Sequence, residues 1–306
     1  MYEDRRMYVN GKLIPWGKAT VHLMSHSFCR GSAIFEVMRL HKTSKGRAVF
    51  RLDAHLARLA RTAFLLGMNL PMNDEGFTSA IYQTIRNNEV NEGYVKLICY
   101  YGNVAVKVMP NQAKMDICIA VVDPEKDLEG EEAAPGNTGL ALTLCKTRKL
   151  HPETIPIEAK AAANYLNGML SRIEAKKKGA DVGIMLDTQG FVAEGSTESI
   201  FMVKDGTLFT PAEGTVLKSI SRKSVLELAP ALGIETIEKR ITPDFLMEAD
   251  EIFLSSTGGR VQPVRKIDDR DLPEVPGPVS KRLTEAFETI YQDKDPRFSH
   301  WLFYVR

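Results

Sequence analysis

The segment from Asp123 to Gly139, DPEKDLEGEEAAPGNTG, does most to limit what the chain can fold into, because it is acidic, holds two prolines and has almost no bulky apolar side chain. A stretch of that composition connects structured regions and does not build a core. The chain of 306 residues is therefore expected to form two domains. A small α/β domain would cover 1–124, an interdomain linker 125–138, and a larger domain 139–306.

On either side of the linker the local patterns mix hairpin and helix. MYVNGKLIP places Asn10-Gly11 between short apolar runs, a hairpin turn. SAIFEVMRLHKTSKGRAVFRL reads as two strands joined at Ser-Lys-Gly, and LDAHLARLARTAFLLGM as a helix capped by Asp53 and ended by Gly67. A second helix is expected at about 74–88, ahead of the strands YVKLICYYG and KMDICIAVV. Past the linker, LALTLCKTRKL reads as a strand, 164–178 as a helix ending in KKKGAD, and Gln189-Gly190 and Asp205-Gly206 as turns between strands. Further helices are expected near 219–232 and 278–292. This uneven alternation suits an α/β (α+β) two-domain fold with mixed sheets and excludes a doubly wound one.

Composition removes several classes of function. A net charge of +1 and 44% hydrophobic residues give a globular chain without the field that would hold nucleic acid or an anionic membrane. Cys29, Cys99, Cys118 and Cys145 lack metal-ligand spacing, and three of them sit in strongly apolar stretches, so they read as free buried thiols with no metal site. The charged N-terminus does not look like a signal peptide and no apolar run is long enough to span a membrane, so a cytoplasmic protein is expected.

The residues with chemical promise are few. Lys160 stands in IPIEAKAAANYL, where the flanking side chains are small and apolar. A lone lysine is ordinarily a solvated surface charge. Partial desolvation, however, lowers a lysine's pKa towards the range in which a neutral amine attacks a carbonyl, the environment that a Schiff-base lysine needs. FVAEGSTESIF places Glu194 at the end of one strand and Glu198 at the start of the next. Such glutamates are commonly turn residues, but a carboxylate beside a pyridine nitrogen keeps it protonated and makes the ring an electron sink. Lys160, Tyr165 and Glu194 together fit pyridoxal-phosphate chemistry.

Over nearly its whole length the chain resembles the fold-type IV pyridoxal-phosphate enzymes, class IV aminotransferases of the branched-chain amino-acid aminotransferase group. The resemblance rests on VHLMSHSFCRGSAIFEVMR, HLARL, AKAAANYL, DTQGFVAEGSTESIF, GTLFTP, ITPDFLMEADEIFLSSTGGRVQPV and GPVSKRL, in that order and spacing. It implies pyridoxal 5'-phosphate as cofactor, with Lys160 as the cofactor-bearing lysine and proton shuttle. By the same resemblance Tyr165 bonds the phenolic oxygen, Glu194 pairs with the pyridine nitrogen and Arg58 binds the phosphate. It further implies a homodimer, and ping-pong transfer of an amino group between an amino acid, L and of branched-chain type or glutamate, and a 2-oxo acid.

The pattern also departs from the group. The usual Leu-Pro-Gly-Ile-Thr reads LKSIS, leaving Leu217 to pack on the ring and Ser219, Ile220 and Ser221 to meet the phosphate, and the usual Ser-Gly-Thr reads SST, which assigns Ser256 and Thr257. Hydroxyls and backbone N–H groups at a helix start still hold a dianion. In the substrate pocket, assigned to Arg30, Phe35, Val37, Tyr94, Lys96 and Gly258, Arg30 replaces a tyrosine, Val37 a glycine and Lys96 an arginine. Arg30 and Lys96, with Lys107 or Arg260, could make a cationic pocket for a carboxylated substrate. Lys96 also resembles the pattern of 4-amino-4-deoxychorismate lyase. A D-amino acid or amine transaminase, and a cofactor-binding protein without turnover, are the remaining readings.

Overall fold

The computed structural model describes residues 4–127, 139–258 and 260–306, so the linker expected at 125–138 lies outside the described residues from 128 onward. The chain divides into two compact units, one of Met1–Glu131, Ala159–Ala163 and Thr289–Arg306, the other of Glu132–Glu158 and Asn164–Glu288. The linker pattern predicts a single passage from a first domain to a second. The chain instead returns twice to its first unit, with Lys160 and again with its C-terminal residues.

In the first unit, β1 (Arg6–Val9) and β2 (Lys12–Pro15) form the expected hairpin, with Asn10 and Gly11 both at positive φ (46° and 90°). That is the backbone an Asn-Gly turn provides. Strands β3 (Ile34–Thr43), β4 (Gly46–Phe50), β5 (Gly93–Tyr100) and β6 (Asp116–Val122) continue the sheet, and the C-terminal strand Leu302–Tyr304 adds to β4. All neighbours in this seven-stranded sheet are antiparallel, so it is not the mixed sheet expected. Helix α1 (His26–Arg30) precedes β3, while α2 (Leu52–Leu65) and α3 (Asp74–Asn88) cover one sheet face. That face presents Ile34, Met38 and Leu40 of β3 and Val95 and Leu97 of β5 to Leu56 and Leu59 of α2 and Ile81 and Ile85 of α3. Each such side chain contributes about 1.5–3 kcal/mol by leaving water.

Asp53 does not cap α2. The cap is Arg51, held at φ 52° by its N–H bond to the Trp301 carbonyl and by cation–π contact with that ring, and Asp53 falls in the first turn. The C-terminal segment thus fastens the start of the helix. Gly67 follows the last helical turn at φ 63°, as expected. A short α4 (Pro124–Asp127) closes this part of the chain.

The second unit is built on β7 (Leu140–Arg148), β8 (Val182–Leu186), β9 (Val192–Glu194), β10 (Ser199–Lys204), β11 (Thr207–Pro211), β12 (Thr236–Lys239), β13 (Glu251–Ser256), β14 (Arg260–Ile267) and β15 (Arg270–Asp271). This sheet is mixed: β7 pairs parallel with β8 and β14, β11 parallel with β12, and the rest antiparallel. β9 pairs with both β8 and β10, so the ladder closes on itself. The closure covers the free edge of β9 and leaves β12 as an edge strand. Helices α5 (Tyr165–Lys177), α6 (Ile220–Ala231), α7 (Pro243–Leu246) and α8 (Pro278–Tyr291) follow the expected positions, apart from the unanticipated single-turn α7. Gly183 on β8 lets α5 come close, because a Cβ there would stand 2.4 Å from the Cys145 Sγ and 2.7 Å from the Ser171 oxygens. Cys99, Cys118 and Cys145 are buried free thiols, and Cys29 is exposed. No helix among the described residues is long and apolar enough to cross a membrane.

Candidate active site

Lys160 is held by its backbone before its side chain does anything. Its carbonyl accepts the Phe35 N–H at 3.1 Å, its own N–H donates to Thr62 Oγ1 at 3.1 Å, and the Ala162 N–H donates to the Ala33 carbonyl at 2.8 Å. Residues 159–163 therefore lie against the start of β3 and the end of α2. Small residues permit this. Gly31, at φ 66°, would bring a Cβ to 3.1 Å from that of Ala163, and Ala159 and Ala161 are buried. The Lys160 Nζ stands 4.9 Å from the centre of the Phe35 ring. An ammonium over an aromatic face is attracted to it.

One residue along β3, on the helix-covered face between Ile34 and Met38, lies Glu36, fully buried. Its carboxylate accepts the Arg58 Nε–H at 2.8 Å and an Nη2–H at 2.6 Å, a forked pair, and stands 2.7 Å from His55 Nδ1. Burial alone would raise the Glu36 carboxyl, but the Arg58 charge and hydrogen bonds and those of His55 outweigh it and bring the pKa from 4.5 down to about 2. Burial lowers the His55 pKa against the pull of Glu36, and the charges of Arg58 and Lys160 lower it further, so the ring stays neutral. The ring then donates its Nδ1–H to Glu36, as a carboxylate only accepts. His55, Arg58 and Thr62 share one side of α2, which thereby holds the Glu36 pair and the Lys160 backbone together.

The opposite face of this sheet is more open. Phe35 and Val37 of β3 and Lys96 of β5 point to it, with Val37 directly across from Lys96. The Lys96 Nζ lies 5.7 Å from the Phe35 ring centre, so two ammonium groups flank one aromatic ring. Tyr94 is covered by the Arg39 guanidinium at 4.6 Å, itself paired with Glu92 at 3.2 Å. Arg30 is exposed at the end of α1 and donates to the Val106 carbonyl at 3.0 Å, and Lys107 is exposed beside it. Arg260 belongs to the second unit and pairs with Glu288. Of the proposed pocket cations, Lys96 stands with Phe35.

In the second unit, Glu194 ends β9, buried, and pairs through Oε1 with Lys149. Both partners are placed by β8, since Glu194 is opposite Met185 and the Lys149 N–H donates to the Leu186 carbonyl at 2.8 Å. Glu198 is engaged otherwise. It accepts from Thr197 Oγ1 at 2.7 Å, the Thr197 N–H at 2.9 Å and Arg172 at 3.0 Å, so it organises its own turn. Tyr165 opens α5, half-buried.

Ser219 is the N-cap of α6 and accepts the Arg222 N–H, Ile220 and Ser221 form its first turn, and Leu217 precedes it, half-buried. First-turn N–H groups have no helical carbonyl to bond and carry the positive end of the helix dipole. α6 packs on β13, whose last residue is Ser256, and Thr257 and the exposed Gly258 follow.

These residues fit pyridoxal phosphate by their chemistry. They provide an amine at Lys160, a carboxylate kept beside a cation at Glu194, and anion donors at Arg58 and at the start of α6. Sequence reasoning missed Glu36, His55, Thr62 and Lys149. A charged residue between Ile34 and Met38 on an alternating strand was the available signal for Glu36, while nothing in the sequence marks Lys149.

The chain matches the family model "Amino-transferase class IV" over residues 33–267. It is 33% identical to the branched-chain-amino-acid aminotransferase of Pseudomonas aeruginosa over 97% of this chain and 96% of that one, with the same figures for the Escherichia coli K12 enzyme. Among solved structures it is similar to a T.th. branched-chain amino acid aminotransferase complexed with N-(5'-phosphopyridoxyl)-L-glutamate, with a TM-score of 0.92 and 31% identity over 100% of both chains. The branched-chain aminotransferase of Thermoproteus uzoniensis with norvaline gives a TM-score of 0.92 and 30% identity over 99% of each chain.

Proposed function

The chain belongs to the amino-transferase class IV family, and from that premise we propose that it moves an amino group between an L-amino acid of branched-chain type or glutamate and a 2-oxo acid. It is a pyridoxal-phosphate-dependent transaminase. The observation that carries the residue assignment is Lys160, whose backbone is fixed to β3 and α2 while its amine stands over Phe35.

When bound, pyridoxal phosphate supplies an aldehyde for the amino group and a protonated ring that accepts electron density. The protein's side chains do the rest. Lys160 would move the α-proton of the donor, as a general base and then acid on a fixed backbone. Glu194, beside Lys149, holds the proton at the pyridine nitrogen. Tyr165 donates to the phenolic oxygen. Arg58 and the start of α6, with Ser219, Ile220 and Ser221, hold the phosphate together with Ser256 and Thr257, and Leu217 packs on the ring. Phe35, Val37, Tyr94, Arg30 and Gly258 bound the substrate, and Lys96 receives a carboxylate.

A homodimer in the cytoplasm belongs to the same reading. Leu23, Phe28, Val106, Val108 and Met109 are exposed by 65% to 78% on two segments tied by the Ser25–Val104 bridge. An apolar surface of that kind is ordinarily covered in an assembly, and a second copy of this chain is the occupant we assign. The test of the reaction is the visible spectrum of the purified protein before and after separate additions of L-glutamate, L-leucine, L-aspartate and D-alanine. Bleaching by L-leucine or L-glutamate, reversed by a 2-oxo acid, is expected. A coloured protein indifferent to L-leucine and L-glutamate overturns that substrate assignment.

A further inference from the structure

We infer that Glu36 is a positioning residue for the phosphate of the cofactor, acting through Arg58. The inference rests on the reading above only in taking that phosphate as the anion Arg58 meets. Glu36 occupies a position that the fold would fill equally well with an apolar residue, since its neighbours on the same strand face are Ile34, Met38 and Leu40. A buried ion pair is no more stabilising than well-packed apolar side chains of the same volume. The pair therefore needs another reason.

Its geometry supplies one. Glu36 binds Arg58 through Nε and Nη2, which lie on one edge of the guanidinium, and so turns the Nη1 edge away from itself. A free arginine loses about 2 kcal/mol of rotamer freedom on being fixed, and here that loss has been incurred before any anion arrives. His55 completes the clamp with a third hydrogen bond to the same carboxylate at 2.7 Å. Because the ring is held neutral, it adds a donor without adding a second cation to compete with Arg58 for Glu36. The guanidinium is thus presented in one orientation, and α2 joins it through Thr62 to the backbone of Lys160.

The experiment compares binding of pyridoxal phosphate and phosphate-free pyridoxal to the full-length apoprotein by absorbance. Wild type, Glu36→Gln and Glu36→Asp are each tested, with unfolding midpoints recorded alongside. The aspartate keeps the charge but cannot reach both donors, and it serves if the glutamine variant does not fold. We expect pyridoxal phosphate to bind about 10- to 100-fold more weakly to either variant, with pyridoxal affinity unchanged. Arg58→Met should lose the preference for the phosphorylated form, and adding Glu36→Gln to it should remove nothing more. Variants that keep the wild-type preference, or lose affinity for both ligands alike, overturn the inference. A wild type that binds neither ligand, or both equally, overturns instead the cofactor reading on which it rests.

Discussion

Each unit buries a glutamate beside a cation, and the two carboxylates are held in different ways. Glu36 is locked by the two donors of a planar guanidinium and by a neutral histidine. Glu194 meets the single ammonium of Lys149 at Oε1. A guanidinium fork fixes the plane of the carboxylate it binds, whereas an ammonium is a point charge that leaves orientation to other contacts. Geometry is therefore what matters at Glu36 and charge what matters at Glu194. On the proposed reading the first carboxylate orients another side chain, and the second serves a ring nitrogen.

Acid should separate them most strongly. The folded pKa of Glu36 is lowered from 4.5 to about 2, so its contribution to stability is complete above 4.5 and is lost as the pH falls from there to about 2. Each pH interval of one between the unfolded and folded pKa is worth about 1.4 kcal/mol, which makes the loss about 3 kcal/mol. His55 acts in the same direction, because its lowered pKa lets the unfolded chain take up a proton first as the pH falls below the usual histidine range. Denaturant unfolding between pH 6 and pH 3 should show about 2 kcal/mol of this loss in the wild type and a flatter profile in Glu36→Gln. Equal slopes in the two proteins would break the contrast.

The second way to sharpen it is kinetic. On the proposed reading Glu194→Gln removes the charge opposite the pyridine nitrogen, so kcat at saturating pyridoxal phosphate should fall about a hundredfold, roughly 2.7 kcal/mol. Affinity for pyridoxal phosphate relative to pyridoxal should stay as in the wild type. Glu36→Gln should show the reverse, a changed ratio of affinities with a preserved kcat. If both variants lose kcat and affinity together, the two carboxylates do not have separate tasks.

What the sequence made legible follows from how local each signal is. The hairpins at Asn10-Gly11 and Asp205-Gly206 and the helix at Asp74–Asn88 are dictated by neighbouring residues, and they stand where expected. The return of the C-terminus to the first unit was not legible, because Leu302–Tyr304 is too short for any periodicity and is specified by pairing with β4, far away in the chain. The antiparallel order of the first sheet was hidden for the same reason. In the site, Lys160 and Glu194 could be named as individuals from their flanking residues. Their holders could not. Glu36 gains its meaning only once the strand face carrying Ile34 and Met38 is known to be the covered one, and Lys149 only once β8 brings it beside Glu194.

The smallest effects test charge against geometry directly, at Lys149. Lys149→Met leaves a buried carboxylate without its cation, an arrangement that costs the folded site its balance of charge. On the proposed reading, in which Glu194 serves the ring nitrogen, kcat should fall about tenfold. Lys149→Arg changes the shape of the partner and keeps its charge, and kcat should stay within about twofold of wild type if an unspecialised cation is all that Glu194 needs. The matching conservative change on the other side, Glu36→Asp, keeps charge and alters shape, and there the affinity for pyridoxal phosphate should drop. A tolerant Lys149 beside an intolerant Glu36 is the outcome that assigns charge to one carboxylate and geometry to the other, and the opposite pattern would exchange the two roles.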